Sequence, residues 1–266
     1  MKIIRITGKL FPLLLIAFLV SCGGSQPTKQ KPQEEGPDLK QAAKLNVQLA
    51  IGYIKRNNME TAKEKLEKAI EQDSENTDAY KTLAYLYSQL GMNTEANAQY
   101  QKAIDIKSND PDLHNNYGTF LCKIGRVDEA LTEFKAAYTN PFYETSYLAY
   151  ANAGACLLKQ ERYVEAETML RKALHTDPNL ASALISMADL GIKTKQYLKA
   201  RAYIQRYHEK NKASPESLWI QVRAEKALGD QVHYLKFARQ LVSEFPESDE
   251  ASWVQEQARN EQLRNK

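Results

Sequence analysis

Residues 77–110, TDAYKTLAYLYSQLGMNTEANAQYQKAIDIKSND, decide the fold. Two apolar-periodic segments flank Gly91, a residue that tolerates positive φ and so suits a turn between helices. Small residues stand at Ala84 and Ala96, and bulky ones follow at Tyr87 and Tyr100. That pattern lets two antiparallel helices cross closely in a fixed register. Working outward, the same pattern recurs in both directions. The alanine at position 20 of each unit is Ala62, Ala96, Ala130, Ala166 and Ala200, at spacings of 34, 34, 36 and 34 residues. Units therefore begin at Ala43, Thr77, Pro111, Tyr147 and Ala181, and a further step of 34 reaches Pro215.

Other positions keep the register. Position 8 is Ala50, Ala84, Gly118, Gly154 and Ala188; position 24 is Leu66, Tyr100, Phe134, Leu170 and Ile204. Position 11 is Tyr53, Tyr87, Leu121 and Leu157, and then departs at Gly191, where a missing side chain implies a gap in the core and a less rigid end. Gly91, Gly125 and Gly229 share position 15. This is the tetratricopeptide period, in which one unit cannot cover its own apolar face and stacking supplies the core. The expected fold is all-α, a right-handed superhelix of about six helix-turn-helix repeats over residues 41–250, the sixth degenerate. Residues 251–266 form a C-terminal tail, helical or frayed.

The N-terminus reads as an address. Lys2, Arg5 and Lys9 precede an apolar run of 11 residues, Leu10 to Val20. A membrane-spanning helix needs roughly 20 apolar residues, so this run has the length of a signal-peptide core. Leu19-Val20-Ser21-Cys22 resembles the bacterial lipobox, which implies removal of residues 1–21 and acylation of Cys22. The alternatives are an uncleaved anchor or a secreted protein with a chance cysteine. Gly23 rather than Asp follows the cysteine, which in enterobacterial lipoproteins implies the outer membrane. Residues 22–40 hold prolines at 27, 32 and 37 and few apolar side chains, and are expected to be a disordered tether.

Charge excludes one class of partner. The chain has 36 Lys and Arg against 33 Asp and Glu. Three of those cations precede Cys22, so the remainder is balanced, leaving no basic footprint for nucleic acid. Catalysis is not expected either. The histidines, His114, His175, His208 and His233, form no H-E-x-x-H pattern, and the chain lacks a phosphate-binding glycine loop and a G-x-S-x-G elbow. No metal, cofactor or small-molecule substrate is expected, and His114, at a core-facing position, is expected to be a packing residue.

Two sites remain. Cys122 and Cys156 lie on first helices of successive repeats, within bridging range of each other; in an oxidising periplasm they are expected to pair, the alternative being two reduced, buried thiols. The concave wall of such a superhelix is lined by positions 2, 5, 9, 12 and 13 of the first helices. Repeat 1 places Lys44, Val47, Ile51, Ile54 and Lys55 there, with Lys81 and Tyr85 beside them. Val47, Ile51, Ile54, Lys81 and Tyr85 are the expected partner-binding groove; the alternative is that the tether or a terminus covers this patch. Leu148, Leu158, Ile185 and Ile192 are expected to extend the wall.

Several stretches off the repeat template carry a resemblance. Asn115-Asn116-Tyr117-Gly118-Thr119-Phe120-Leu121-Cys122, the insertion at Asn140-Pro141-Phe142-Tyr143, and Asn152-Ala153-Gly154-Ala155-Cys156 resemble, in order, motifs of the type IV pilus biogenesis lipoprotein family (PilF/PilW). Ala202 to Tyr207, Glu216 to Trp219 and Ala227 to Asp230 also match. The resemblance covers nearly the whole chain from Cys22 to Ser248. It implies an outer-membrane pilotin, held by acyl chains at the periplasmic face, that binds pilus secretin subunits and promotes their localisation and assembly into a ring. The competing reading is a general tetratricopeptide scaffold lipoprotein, serving outer-membrane protein assembly or cell-wall enzyme regulation.

Overall fold

The computed structural model describes residues 38–264, with side chains as far as 260. Cys22, the signal segment and most of the expected tether lie outside the described residues. Six antiparallel helix pairs follow one another: α1 (Leu39–Lys55) with α2 (Met59–Gln72), α3 (Thr77–Gln89) with α4 (Asn93–Ile106), α5 (Pro111–Lys123) with α6 (Val127–Tyr138), α7 (Ser146–Lys159) with α8 (Tyr163–Thr176), α9 (Ala181–Lys193) with α10 (Tyr197–Lys210), and α11 (Pro215–Leu228) with α12 (Gln231–Glu244). A thirteenth helix, α13 (Asp249–Arg264), packs on the sixth pair by burying Ala251 and Val254 against Leu218, Tyr234 and Leu241. The described residues form no strand, and no helix among them is long and apolar enough to cross a membrane.

Local chemistry sets the helix ends. Asp38 accepts from the Gln41 amide and opens α1 at Leu39, two residues inside the stretch expected to be tether. Asn58, Asn76, Asp110 and Asp230 cap α2, α3, α5 and α12 in the same way, satisfying an amide that the helix leaves without a partner. Ser214 and Ser217 cap α11 reciprocally, with Pro215 at its first position, where a missing N–H costs nothing. Within every pair the turn passes through one left-handed residue at position 15. Gly91, Gly125 and Gly229 fill it in three repeats, while Asn57, Glu161 and Lys195 adopt φ of 59–60° in the others.

The pairs interlock where the small residues fall. The alanines at position 20 are wholly buried, as are Leu66, Leu170 and Ile204 four residues later. At Gly118 and Gly154 an added Cβ would meet Phe134 at 2.9 Å and Leu170 at 2.6 Å, so each glycine admits the bulky side chain opposite it. Gly191 is not the gap that its position suggested. A Cβ there would stand 2.8 Å from the backbone nitrogen of Ala200, so α9 and α10 touch backbone to backbone and the absent side chain allows the approach. Neighbouring Leu190 is 1% exposed and fills the core at that level. Arg201 forks onto the buried Glu225 and reaches Asp230, tying the fifth repeat to the sixth.

Candidate functional site: a groove across the first helices

Along a stack of helix pairs the first helices stand side by side, and their position 5, 9 and 12 side chains share one face. In repeats 1 and 2 that face is open. One cavity of about 290 Å³ is lined by Ile51, Ile54, Lys55, Lys81, Thr82, Tyr85, Tyr100 and Asn116. A second, of about 380 Å³, is lined by Lys44, Val47, Gln48, Ile51, Asn76, Asp78, Lys81 and Thr82. They share Ile51, Lys81 and Thr82 and so form one groove across α1 and α3, with α5 contributing Asn116 at its end. All five expected groove residues line it. Val47 is nearly buried in its floor, whereas Ile51 and Tyr85 are 40% and 48% exposed.

Its electrostatics are mixed. Lys81 is held by Asp78 at 2.7 Å, and Lys44 and Lys55 add two further cations. Tyr100, from α4, reaches the cavity from behind. Its ring is 3% exposed and packs against Tyr117 and Phe120 at 5.2 and 5.4 Å, and burial pushes its hydroxyl pKa far upward. As a bulky position-24 residue Tyr100 carries no sequence signal that it also lines the cavity.

Towards the C-terminus the apolar side chains expected on the wall are less exposed. Leu158 and Ile192, expected to face the groove, are each 5% exposed and belong to the core, and Leu148 and Ile185 are half-buried. Between α5 and α7 the wall is tied covalently: Cys122 and Cys156 form a disulfide with their Cα atoms 5.9 Å apart. Asn152 donates to Asn115 at 3.0 Å across the same pair, and Lys123 donates to the Ser88 carbonyl at 2.8 Å, linking α5 to α3. In the inserted loop Tyr143 is buried against Ala137 and Ala149, while Phe142 is 90% exposed.

His114 does not pack as an apolar residue. Its Nδ1 lies 2.6 Å from a Glu133 oxygen and its Nε2 2.9 Å from the Ser108 carbonyl, and the Glu133 hydrogen bond raises its pKa against the opposing effect of burial. Among the described residues no three or more His, Cys, Asp or Glu side chains cluster as a metal site.

Paired helices at a 34-residue period, with a groove across the first of each pair, define the class, and the family comparison agrees: tetratricopeptide repeat models match residues 77–110, 99–132, 118–181 and 157–219. Within that class the chain belongs to the PilF-like tetratricopeptide repeat proteins. It is 29% identical over 235 residues to the type IV pilus assembly protein PilF of Pseudomonas aeruginosa, covering 88% of this chain and 92% of that one. It is similar to the crystal structure of PilW, described as a widely conserved type IV pilus biogenesis factor, with a TM-score of 0.74 and 29% identity over 80% of this chain and 98% of the other. The structure of Pseudomonas aeruginosa PilF matches with a TM-score of 0.71 and 29% identity, covering 82% and 99% of the two chains.

Proposed function

We propose that this chain acts in type IV pilus biogenesis as an outer-membrane pilotin: a lipoprotein, acylated at Cys22, that binds secretin subunits and promotes their localisation and assembly. Kinship with PilF and PilW supports the pilus role, since both are named for pilus assembly or biogenesis. The observation that carries the binding step is the groove of repeats 1 and 2, where Ile51 and Tyr85 stay 40% and 48% exposed beside Ile54. Exposed apolar side chains gathered in a concave seat mark an interaction site. The work divides by segment. Acyl chains supply location, each buried CH₂ adding about 0.8 kcal/mol. The residues between Cys22 and Asp38 supply reach, and the groove supplies affinity.

The test is the secretin multimer in outer membranes of a strain lacking this gene, complemented with the wild type or Ile51→Glu. Ile51 is 40% exposed, so the charge enters the groove without entering the core. Loss of multimer on deletion, restored by the wild type alone, is the expected result. Unchanged multimer in the deletion strain would overturn the pilotin reading and leave a scaffold lipoprotein with a different client.

A further inference from the structure

The groove's polar groups say more about what it receives. This inference rests on the reading of the groove as a partner-binding site, and names the chemistry of the bound segment. Six of the residues lining the 290 Å³ cavity carry a side-chain hydrogen-bond donor: Lys55, Lys81, Thr82, Tyr85, Tyr100 and Asn116. Lys81 is engaged by the Asp78 carboxylate and Thr82 by the Asp78 carbonyl, while among the described residues Lys55, Tyr85, Tyr100 and Asn116 have no hydrogen-bond or ion-pair partner. Tyr100 is the most enclosed of these at 3% exposure, whereas Lys55, Tyr85 and Asn116 are exposed and stay hydrated until a partner covers them. Covering the cavity with a purely apolar segment would take water from these donors and offer no acceptor in return. A basic segment would meet Lys44, Lys55 and Lys81, whose one acidic neighbour in the groove, Asp78, is already engaged by Lys81.

We propose that the groove receives a peptide segment bearing a side-chain carboxylate next to a large apolar side chain. The apolar group enters between Ile51, Ile54 and Tyr85. The carboxylate accepts from the Lys55 ammonium, the Tyr100 hydroxyl and the Asn116 amide. Such charge-assisted bonds in a partly desolvated cavity are roughly twice as strong as neutral ones, so they set the preference while the apolar contact supplies most of the area.

A random dodecapeptide library displayed on phage, selected on the folded chain and depleted on its Ile51→Glu variant, tests this without assuming any partner. The expected survivors carry Asp or Glu within two positions of Phe, Leu, Ile or Trp. The synthetic form of the strongest should lose about tenfold in affinity when its acid becomes the amide, a loss of about 1.4 kcal/mol. Lys55→Ala should cost a similar factor, and the two changes together little more than either, while Tyr100→Phe weakens the acidic peptide and spares the amide form. Lys55 is exposed and Tyr100→Phe keeps the ring, so both variants should melt with the wild type. The inference fails if no Ile51-dependent peptide emerges, if acid and amide forms bind alike, or if the acid preference survives Lys55→Ala. An acid-selective groove on a chain that fails to capture secretin subunits would sink the pilotin reading and leave this inference standing.

Discussion

Two glycine-to-alanine changes, Gly191→Ala and Gly52→Ala, should shift stability in opposite directions. Both residues lie inside first helices, where alanine is intrinsically favoured over glycine by about 0.8–1 kcal/mol. Around Gly52 nothing lies within 4 Å of the added methyl, because position 10 of α1 faces the side on which no described repeat stacks. The propensity gain should appear there almost undiminished. At Gly191 the methyl meets Ala200 N at 2.8 Å, its Cβ at 2.9 Å and its Cα at 3.0 Å. Ordinary carbon contacts are about 3.5–4.0 Å, and a backbone cannot rotate aside as a side chain can, so α9 and α10 must part. Overpacking of this kind costs about 1–3 kcal/mol, and the upper half applies. Subtracting the propensity gain leaves about 1–2 kcal/mol of destabilisation. For a domain of roughly 150–250 residues each kcal/mol moves the melting temperature by about 2–4 °C, so Gly191→Ala should melt roughly 5 °C below the wild type and Gly52→Ala roughly 2–3 °C above it. Circular dichroism melts on the oxidised protein, with urea midpoints as a second measure, read both. A Gly191→Ala protein as stable as the wild type would refute the close approach and restore the gap. A Gly52→Ala protein that lost stability would mean that something covers that face of α1.

Three other outcomes follow from particular residues. Glu161→Gly and Lys195→Gly remove a side chain from the left-handed region and should each raise the urea midpoint by an amount equivalent to about 1 kcal/mol; a loss at either site would mean that its side chain holds the turn by a contact worth more than the strain. Titrated in the unfolded, unreduced state, Cys122 and Cys156 should contribute no free thiol, and reduction should cost about 3–4 kcal/mol for a loop of roughly 35 residues; two titratable thiols would contradict the bridge. His114 has its pKa raised by Glu133, so its contribution is fully present below the ordinary histidine pKa of about 6.5 and is lost as pH rises through the higher folded value. The stability difference between the wild type and His114→Gln should therefore shrink as pH climbs from about 6 to 9, and a difference constant over that window would refute the ion pair.

The alanine period shows in the sequence how the helices pair, because position 20 must be small wherever two backbones cross. Glycine likewise betrayed three of the six turns. The other three take the same conformation with Asn57, Glu161 and Lys195, whose side chains do not advertise it; they are visible only once the period assigns them position 15. Gly191 was misread because a missing side chain has two opposite meanings, a void or a close approach, and the distance to Ala200 decides between them. The groove in repeats 1 and 2 was legible from exposed template positions carrying apolar residues. Its apparent extension through Leu158 and Ile192 was not, since both stand at position 12, which is buried there as it is at Ser88 in repeat 2. Tyr100 joins the groove from the far side of the core, and His114 finds Glu133 across nineteen residues; a one-residue reading reaches neither pairing.

The cross-link between α5 and α7 sits where the 34-residue rhythm slips by two. In a linear array each repeat is supported by its neighbours, and fraying advances as a domain wall moving inward from an end. Joining Cys122 to Cys156 ties the third and fourth repeats together, so a wall arriving from the C-terminal side meets a fourth repeat that gains less chain entropy by unfolding. The groove lies on the N-terminal side of that tie, so melting that starts at the far end must pass its costliest step before reaching it.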